Sequence, residues 1–216
     1  VKPEMRRVWV LRFGSGRNDI GASGVELLRE EITAVVMAAD PKRDEVVVRL
    51  DSPGGTVTGY GLAGAQLMRL RDAGLHVTVA IDQVAASGGY LMACTANRII
   101  ASNFAVIGSI GVVQELPNVY ERLKREGINF ETTTAGKYKR TLTPFKEPTD
   151  EDRQRVKEDL ADVLNVFKDF VSMSRPSVDI ESVATGETWL GPLAKERGLI
   201  DDLMTSDALL LGFARE

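Results

Sequence analysis

Apolar residues in the first half of the chain fall into short continuous runs, and the stretches between the early runs have helical periodicity. Four runs are rich in β-branched residues and predict buried strands. They are Arg7–Phe13, Glu45–Leu50, Val77–Ile81 and Arg98–Ala101. A helix is predicted from Ser23, its N-cap, because apolar residues recur at helical spacing. These are Val25, Leu28, Ile32, Val35 and Ala39. Helices between apolar strands predict β-α-β units and a mostly parallel sheet.

The next predicted helix, Gly59–Ala73, carries glycines at 59, 61 and 64, which indicate close packing against a neighbour. Beyond residue 105 the pattern predicts a strand that contains glycines (Ile107–Val113), a short helix ended by Gly127 (Pro117–Glu126) and a second strand (Ile128–Thr134). Four helices are predicted after them: Thr149–Met173, Ile180–Thr185, Pro192–Arg197 and Ser206–Phe213. We therefore expect one α/β domain over residues 1–216, with a helical C-terminal part from about residue 149.

The composition excludes several classes of site and partner. A net charge of -4 gives no reason to expect nucleic acid as a partner. The single cysteine, Cys94, excludes an internal disulfide and lies in an apolar run, so we expect it in the core. The single histidine, His76, excludes a two-histidine zinc site and is expected at a strand edge. No apolar run reaches the roughly 18 residues of a membrane-spanning helix.

Candidate chemistry lies in two glycine-containing stretches. In Ala86-Ser87-Gly88-Gly89 the small neighbours allow close approach to a serine hydroxyl, although Ser87 could instead cap a helix over Leu91–Thr95. Asp51-Ser52-Pro53-Gly54-Gly55 follows the second strand, and ligands in open α/β sheets bind beyond the carboxyl ends of strands. The two glycine N–H groups there could point at a bound carbonyl oxygen.

A serine nucleophile needs a base, and a Ser-His-Asp triad would have to use His76. Lysine is the other candidate, but it acts as a base only when neutral, so its reference pKa near 10.4 must fall by about 3. The basic stretch Gly136-Lys137-Tyr138-Lys139 supplies two lysines. The residues alone leave open which of them is buried.

The order of four short motifs resembles the signal peptide peptidase A family of serine peptidases, and most closely its SohB branch. The motifs are D-S-P-G-G, A-S-G-G-Y, G-S-I-G-V and G-K-Y-K, with T-G-E-T-W and G-L-I-D nearer the C-terminus. The resemblance implies the Clp protease/crotonase type of α/β fold, built from repeated strand-strand-helix units. It also implies a serine-lysine dyad of Ser87 and Lys139, with Ser109 orienting the lysine. The oxyanion hole then falls on the backbone N–H groups of Gly54 and Gly88.

The resemblance further implies a peptidase that cleaves membrane-derived, signal-peptide-like or unfolded polypeptides, with no metal or other cofactor. It implies a homo-oligomeric ring on the extracytoplasmic, periplasmic side of a bacterial inner membrane, anchored by an N-terminal segment that we expect to be absent from this chain. Two alternatives remain: a crotonase-type acyl-CoA enzyme, and a non-catalytic scaffold for membrane proteins.

Overall fold

A computed structural model describes residues 6–14 and 20–215, which fall into two compact units. The first unit takes its described residues from Val1–Gly111 and Phe167–Glu216, and the second unit is Val112–Val166. Most of the loop predicted after the first strand, residues 15–19, lies outside the described residues. The expectation of a single domain over residues 1–216 stays a prediction.

Eight strands are found among the described residues. They are β1 (Val8–Gly14), β2 (Glu45–Asp51), β3 (His76–Ile81), β4 (Val84–Ala86), β5 (Arg98–Ala101), β6 (Val106–Gly108), β7 (Thr188–Leu190) and β8 (Asp202–Leu203). The same residues form eight helices. They are α1 (Val25–Ala38), α2 (Val57–Asp72), α3 (Gly88–Ala93), α4 (Tyr120–Arg125), α5 (Asp150–Ser174), α6 (Ile180–Val183), α7 (Gly191–Glu196) and α8 (Ser206–Phe213). All four of the early predicted strands and every predicted helix are confirmed, with ends that shift by up to three residues.

The larger sheet has the strand order β1-β2-β3-β5-β8, and all of its neighbouring strands run parallel. A smaller sheet has the order β4-β6-β7, in which only β6 and β7 are antiparallel. An isolated parallel bridge between Ser52 and Ala85 connects the end of β2 to β4. The α/β fold class and the mostly parallel sheet are therefore confirmed.

The core lies between the larger sheet and the helices of the first unit. Val46 and Val48 of β2 are fully buried there, as is Ile32 of α1. The prediction that the first strand is buried is wrong for one of its two faces, which is covered only at its start, where Val8 packs against a second cluster of buried residues. Val10 on its open face is 48% exposed, whereas Phe13 on the core face is 2% exposed.

The structure corrects the N-cap predicted for α1 and confirms most of the close packing predicted for the glycines of α2. Gly24, and not Ser23, occupies the N-cap position of α1, because the helix begins at Val25. The glycines of α2 do mark close packing at two positions out of three. A Cβ at Gly59 would lie 2.5 Å from the Gly21 carbonyl oxygen and one at Gly64 would lie 3.0 Å from Leu91, but Gly61 has open space.

The strand predictions after residue 105 are partly wrong. The strand at 106–108 ends at Gly108 because the chain turns there through positive φ angles, 111° at Gly108 and 52° at Ser109. Residues 128–134 form no strand, and in the described chain no other strand pairs with them. Alternating polarity alone does not make a strand, since the backbone needs a partner for its hydrogen bonds.

The second unit consists of α4, the first part of α5 and irregular chain. Asn118 holds that chain together by donating hydrogen bonds to the carbonyl oxygens of Thr143 and Lys146. Phe130 and Phe145 stack with ring centroids 4.2 Å apart. Among all the helices that the structure describes, none has the length and apolar character needed to cross a bilayer.

Candidate active site

Ser87 occupies the sharp turn between β4 and α3. Its φ of 51° and ψ of -121° place a residue other than glycine in a region that costs on the order of 1–3 kcal/mol. The Ser87 N–H donates to the Gly108 carbonyl oxygen at 2.8 Å, which fixes the turn against β6. Ser87 stands at the N-cap position, but its hydroxyl makes no capping hydrogen bond. The capping alternative therefore does not explain this serine.

The D-S-P-G-G loop packs directly on this turn. Gly54 has a φ of 92°, and a Cβ at this position would lie 2.7 Å from the Gly88 nitrogen and 2.8 Å from the Ser87 Cβ. No side chain fits there, so the absence of a Cβ at Gly54 lets the two loops meet. Gly54, Ser87 and Gly88 are thus brought together at the carboxyl end of β2.

The amide of Gly54 is already engaged within its own loop. Its N–H donates to Ser52 Oγ at 3.1 Å. The next amide, Gly55 N–H, makes no hydrogen bond to any residue of the described chain. To bind in this loop, a carbonyl oxygen would have to share the Gly54 amide with Ser52, displace Ser52 from it, or take the Gly55 amide.

Ser109 lies one residue beyond the carbonyl that holds Ser87. It also has a positive φ, 52°, and its N–H donates to the Glu187 carbonyl oxygen at 2.6 Å. Gly108 is packed so closely that a Cβ there would lie 2.9 Å from both the Glu187 carbonyl oxygen and the Trp189 ring. The turn that carries Ser109 is thus held by β7 on one side and bonded to the Ser87 turn on the other.

Lys139 belongs to the second unit and is described within it. The turn begins at Gly136, whose φ is 100° and whose carbonyl oxygen accepts the Lys139 N–H at 3.1 Å. Lys139 is exposed, as is Lys137, so neither lysine has the burial that was expected of a lysine base. Tyr138 beside it lies under the Arg155 guanidinium of α5, 5.1 Å from its carbon to the ring centroid.

The neighbouring lysine is a poor base. Lys137 Nζ lies 3.0 Å from the Glu151 carboxylate. Hydrogen bonding with Tyr138, and then with Glu151, raises the pKa of Lys137 above its ordinary value. A raised pKa makes this amine harder to deprotonate, so Lys137 is less suited than an unpaired lysine to accept a proton from a serine.

Cys94 and His76 have the structural roles expected of them. Burial raises the pKa of the Cys94 thiol to about 12, which makes it unreactive. His76 is exposed at the first residue of β3, where its Nδ1 lies 2.8 Å from Glu45. His76 thus lies at the amino end of β3. Ser52, in the loop that packs on the Ser87 turn, follows the carboxyl end of β2, which runs parallel to β3. His76 and that loop therefore lie at opposite ends of these strands, and His76 is not the base for Ser87.

Comparison with known families completes this picture. The model for peptidase family S49 matches residues 69–215, and the model for the N-terminal part of the same family matches residues 2–67. The chain belongs to peptidase family S49. The resemblance inferred from the short motifs, including that to the SohB branch, is confirmed.

This S49 chain is similar to several named proteins. It is 47% identical over 209 residues to the probable protease SohB of Haemophilus influenzae, covering 97% of the chain and 58% of that protein. It is 46% identical over 216 residues to the probable protease SohB of Buchnera aphidicola from Acyrthosiphon pisum, covering 100% of the chain and 63% of that protein. The chloroplastic serine protease SPPA of Arabidopsis thaliana is 33% identical over 207 residues, covering 90% of the chain and 30% of that protein. The chain thus spans less than two thirds of the length of these relatives.

Two buried hydroxyl residues at the site of this S49 chain were missed from sequence. Tyr60 of α2 and Ser52 are both 0% exposed, and their hydroxyl oxygens lie 2.7 Å apart. Ser52 stands within the D-S-P-G-G motif, which was the available signal, but nothing in the pattern links it to a tyrosine one helix further on.

Proposed function

We propose that this chain is the catalytic part of a serine endopeptidase in which Ser87 is the nucleophile and Lys139 is the general base. One observation carries the proposal: Ser87 is held in a costly backbone conformation, with its hydroxyl unused for capping and the Gly54 loop packed against Ser87 and Gly88. Costly conformations of this kind cluster at active sites. Membership of peptidase family S49 supports the same activity.

In the proposed reaction, Lys139 in its neutral form takes the proton from Ser87 Oγ, which attacks the scissile carbonyl carbon. The carbonyl oxygen becomes an oxyanion, which the N–H groups of Gly88 and of the Gly54 loop stabilise. The protonated lysine then gives its proton to the leaving amine, and water hydrolyses the acyl-enzyme. In this scheme Ser109 orients the lysine.

The choice of Lys139 over Lys137 rests on the motif and on charge. Lys137 is paired with Glu151 and stays protonated, whereas Lys139 has no ion-pair partner in the part of the chain that the structure describes. A base needs a free amine, and Lys139 meets that requirement better.

The substrate class, assembly and location that we propose follow from the family resemblance. We propose peptides that are membrane-derived, similar to signal peptides, or unfolded as substrates. We also propose a homo-oligomeric ring on the extracytoplasmic side of a bacterial inner membrane. Two of the similar proteins are named proteases, and one is named a serine protease.

Peptide hydrolysis tests the dyad. Ser87→Ala and Lys139→Ala should each lower kcat by at least about 10³-fold, because a nucleophile or its base cannot be replaced by binding alone. Lys137→Ala is the matched control, and it should keep kcat within about threefold since Lys137 does not act as the base.

Labelling with a fluorophosphonate gives an independent measurement. The wild type and Lys137→Ala should be labelled at Ser87, and Ser87→Ala should not be. Wild-type turnover in Ser87→Ala or Lys139→Ala would contradict the dyad. Turnover of an acyl-CoA thioester that survives Ser87→Ala would indicate a crotonase-type enzyme, and a wild type with neither hydrolysis nor labelling would indicate a scaffold.

A further inference from the structure

Tyr60 touches the backbone that follows the nucleophile. Its side chain is fully buried, and a Cβ built at Gly88 would overlap the Tyr60 ring. On another side the ring of Phe13 meets Tyr60 edge-on, with centroids 6.2 Å apart and an interplanar angle of 77°. The Tyr60 ring is thus fixed in the core, and it sets how far the Gly88 backbone can retreat from Ser87.

The Tyr60 hydroxyl is connected through Ser52 to the D-S-P-G-G loop that contains Gly54. Ser52 Oγ lies 2.7 Å from the Tyr60 hydroxyl and accepts the Gly54 N–H at 3.1 Å. A hydrogen-bonded chain therefore runs from the α2 side chain through Ser52 to the Gly54 amide. One side chain consequently contacts Gly88 through its ring and Gly54 through Ser52.

Ser52 is itself tied to the strand that leads into the nucleophile. Its N–H donates to the Val84 carbonyl oxygen at 2.9 Å, and its carbonyl oxygen accepts the Ala86 N–H at 3.0 Å. A Cβ at Gly89 would collide with that same carbonyl oxygen. Ser52 thus links the end of β2 to β4, the strand that leads into the Ser87 turn.

We propose that Tyr60 and Ser52 are positioning residues that hold the Gly54 loop and the Gly88 backbone at a fixed separation for oxyanion stabilisation. This proposal rests on the proposed function, since it assigns a task within the same reaction. Neither side chain touches the substrate, because both are fully buried. They act through the two glycine backbones.

The physical reason is the steep dependence of oxyanion stabilisation on geometry. Donors must stand 2.7–3.1 Å from the position that the oxyanion will occupy, and a misplacement of about 1 Å can cost about 10²-fold in rate. A glycine loop has wide backbone freedom of its own. Because the buried Ser52 hydroxyl accepts the Gly54 N–H, it fixes this loop before substrate arrives, and the oxyanion then shares the Gly54 amide or takes the neighbouring Gly55 amide.

The kinetic test uses two deletions of a single oxygen atom and one matched control. Ser52→Ala removes the acceptor of the Gly54 N–H, and Tyr60→Phe removes the hydroxyl that holds Ser52. Ser206→Ala is the control, because Ser206 is also a fully buried serine and its hydroxyl donates to Asp82 and not to a residue of the Gly54 loop or of the Ser87 turn. Each enzyme is titrated with a fluorophosphonate, so that kcat is expressed per active site.

We expect Ser52→Ala and Tyr60→Phe each to lower kcat by roughly 10- to 100-fold with KM changed less than about threefold. The affinity for a peptide boronate, which mimics the tetrahedral oxyanion, should fall in parallel with kcat/KM. Ser206→Ala should lose stability and keep kcat within about twofold. A merely structural role for Ser52 and Tyr60 would lower the fraction of active sites and leave kcat per site unchanged.

The proposal is overturned if either variant keeps kcat within twofold. It is also overturned if Ser52→Ala raises kcat, because Ser52 would then compete with the oxyanion for the Gly54 amide. A separate measurement tests the positioning role even if the proposed peptidase function is wrong. If the wild type hydrolyses no peptide, hydrogen exchange at the Gly54 amide still decides the positioning.

We expect Ser52→Ala to speed exchange at the Gly54 amide by at least about tenfold, since the amide loses its acceptor, and Ser206→Ala to leave it unchanged. Exchange within twofold of the wild type in Ser52→Ala would refute the positioning, whatever the enzyme catalyses.

Discussion

Removal of the Asp201 carboxylate should strongly destabilise the first unit, for a reason visible in its contacts. Arg175 at the end of α5 is only 8% exposed, and its guanidinium donates to Asp201 at 2.7 and 3.0 Å. The same carboxylate accepts the Ile99 N–H at 2.7 Å. Asp201→Ala therefore leaves a buried cation without its counter-charge and a strand N–H without its acceptor.

The magnitude follows from the burial of the two partners. Breaking a fully buried ion pair costs about 3–5 kcal/mol. The Asp201 side chain is 35% exposed, so water can replace part of the lost interaction. We therefore expect Asp201→Ala to lower the free energy of unfolding by about 2–3 kcal/mol. For a chain of this size, that loss corresponds to a fall in Tm of about 5–10 °C.

Urea denaturation followed by circular dichroism measures this cost, and a double-mutant cycle assigns it to the pair. Arg175→Met removes the buried cation, so Asp201→Ala should cost about 1–2 kcal/mol less in that background. A loss below about 1 kcal/mol in the wild-type background would refute the reasoning, as would equal losses in the two backgrounds.

The same pair gives a pH dependence with a definite sign. Burial by itself raises the pKa of Asp201, but the hydrogen bonds from Arg175 and from the Ile99 N–H outweigh burial, and the pKa lies below its ordinary value. The stabilisation is therefore fully present above the unfolded pKa near 3.9 and is lost as the pH falls through the lower folded value. The stability difference between the wild type and Asp201→Ala should shrink below about pH 4.

Two further predictions concern the thiol and the lysine turn. In the folded protein, Cys94 should resist a thiol reagent such as 5,5′-dithiobis(2-nitrobenzoate) at pH 8, because burial raises its pKa to about 12. It should react only after denaturation. Rapid reaction in the folded state would contradict that burial. Arg155→Ala should lower kcat several-fold, because it removes one of the two cations on the Tyr138 ring and so loosens the turn that carries the proposed base, Lys139. Arg153→Ala, which removes only an ion pair with Asp150 at the start of the same helix, is the control and should keep kcat within about twofold; equal kcat in the two variants would refute the role of Arg155.

Four of the five strands of the larger sheet could be predicted from sequence because they are continuous apolar runs, whereas the two-residue strand β8 was not predicted. Val46–Val48 has no polar interruption, and α1 repeats its apolar positions at helical spacing, so neighbouring elements agree with each other. The smaller sheet could not be predicted. Its strands β4 and β7 have three residues each, which is too short for any periodicity to emerge.

The candidate site was predictable to a different extent for each residue. The glycines around Ser87 indicate close backbone approach, and Gly54 does pack on that turn. The positive φ of Ser87 has no signal in sequence, because serine rarely adopts it. Lys137 and Lys139 were both candidates from sequence, and only the resemblance to a family selected Lys139, since exposed and buried lysines look alike in a sequence. The contact between Tyr60 and Ser52 depends on how α2 packs against the sheet, which local pattern does not encode.

The backbone angles at Ser87 and Ser109 have a consequence for how such chains diverge. Both positions have φ values near 50°, a region that glycine enters at less cost than serine. Selection for folding stability alone would therefore favour glycine at both positions, and in the proposed mechanism the need for the two hydroxyls opposes that change. In a descendant of this chain that no longer depends on catalysis, position 87 is where we expect glycine to appear and the protein to become more stable as its chemistry is lost.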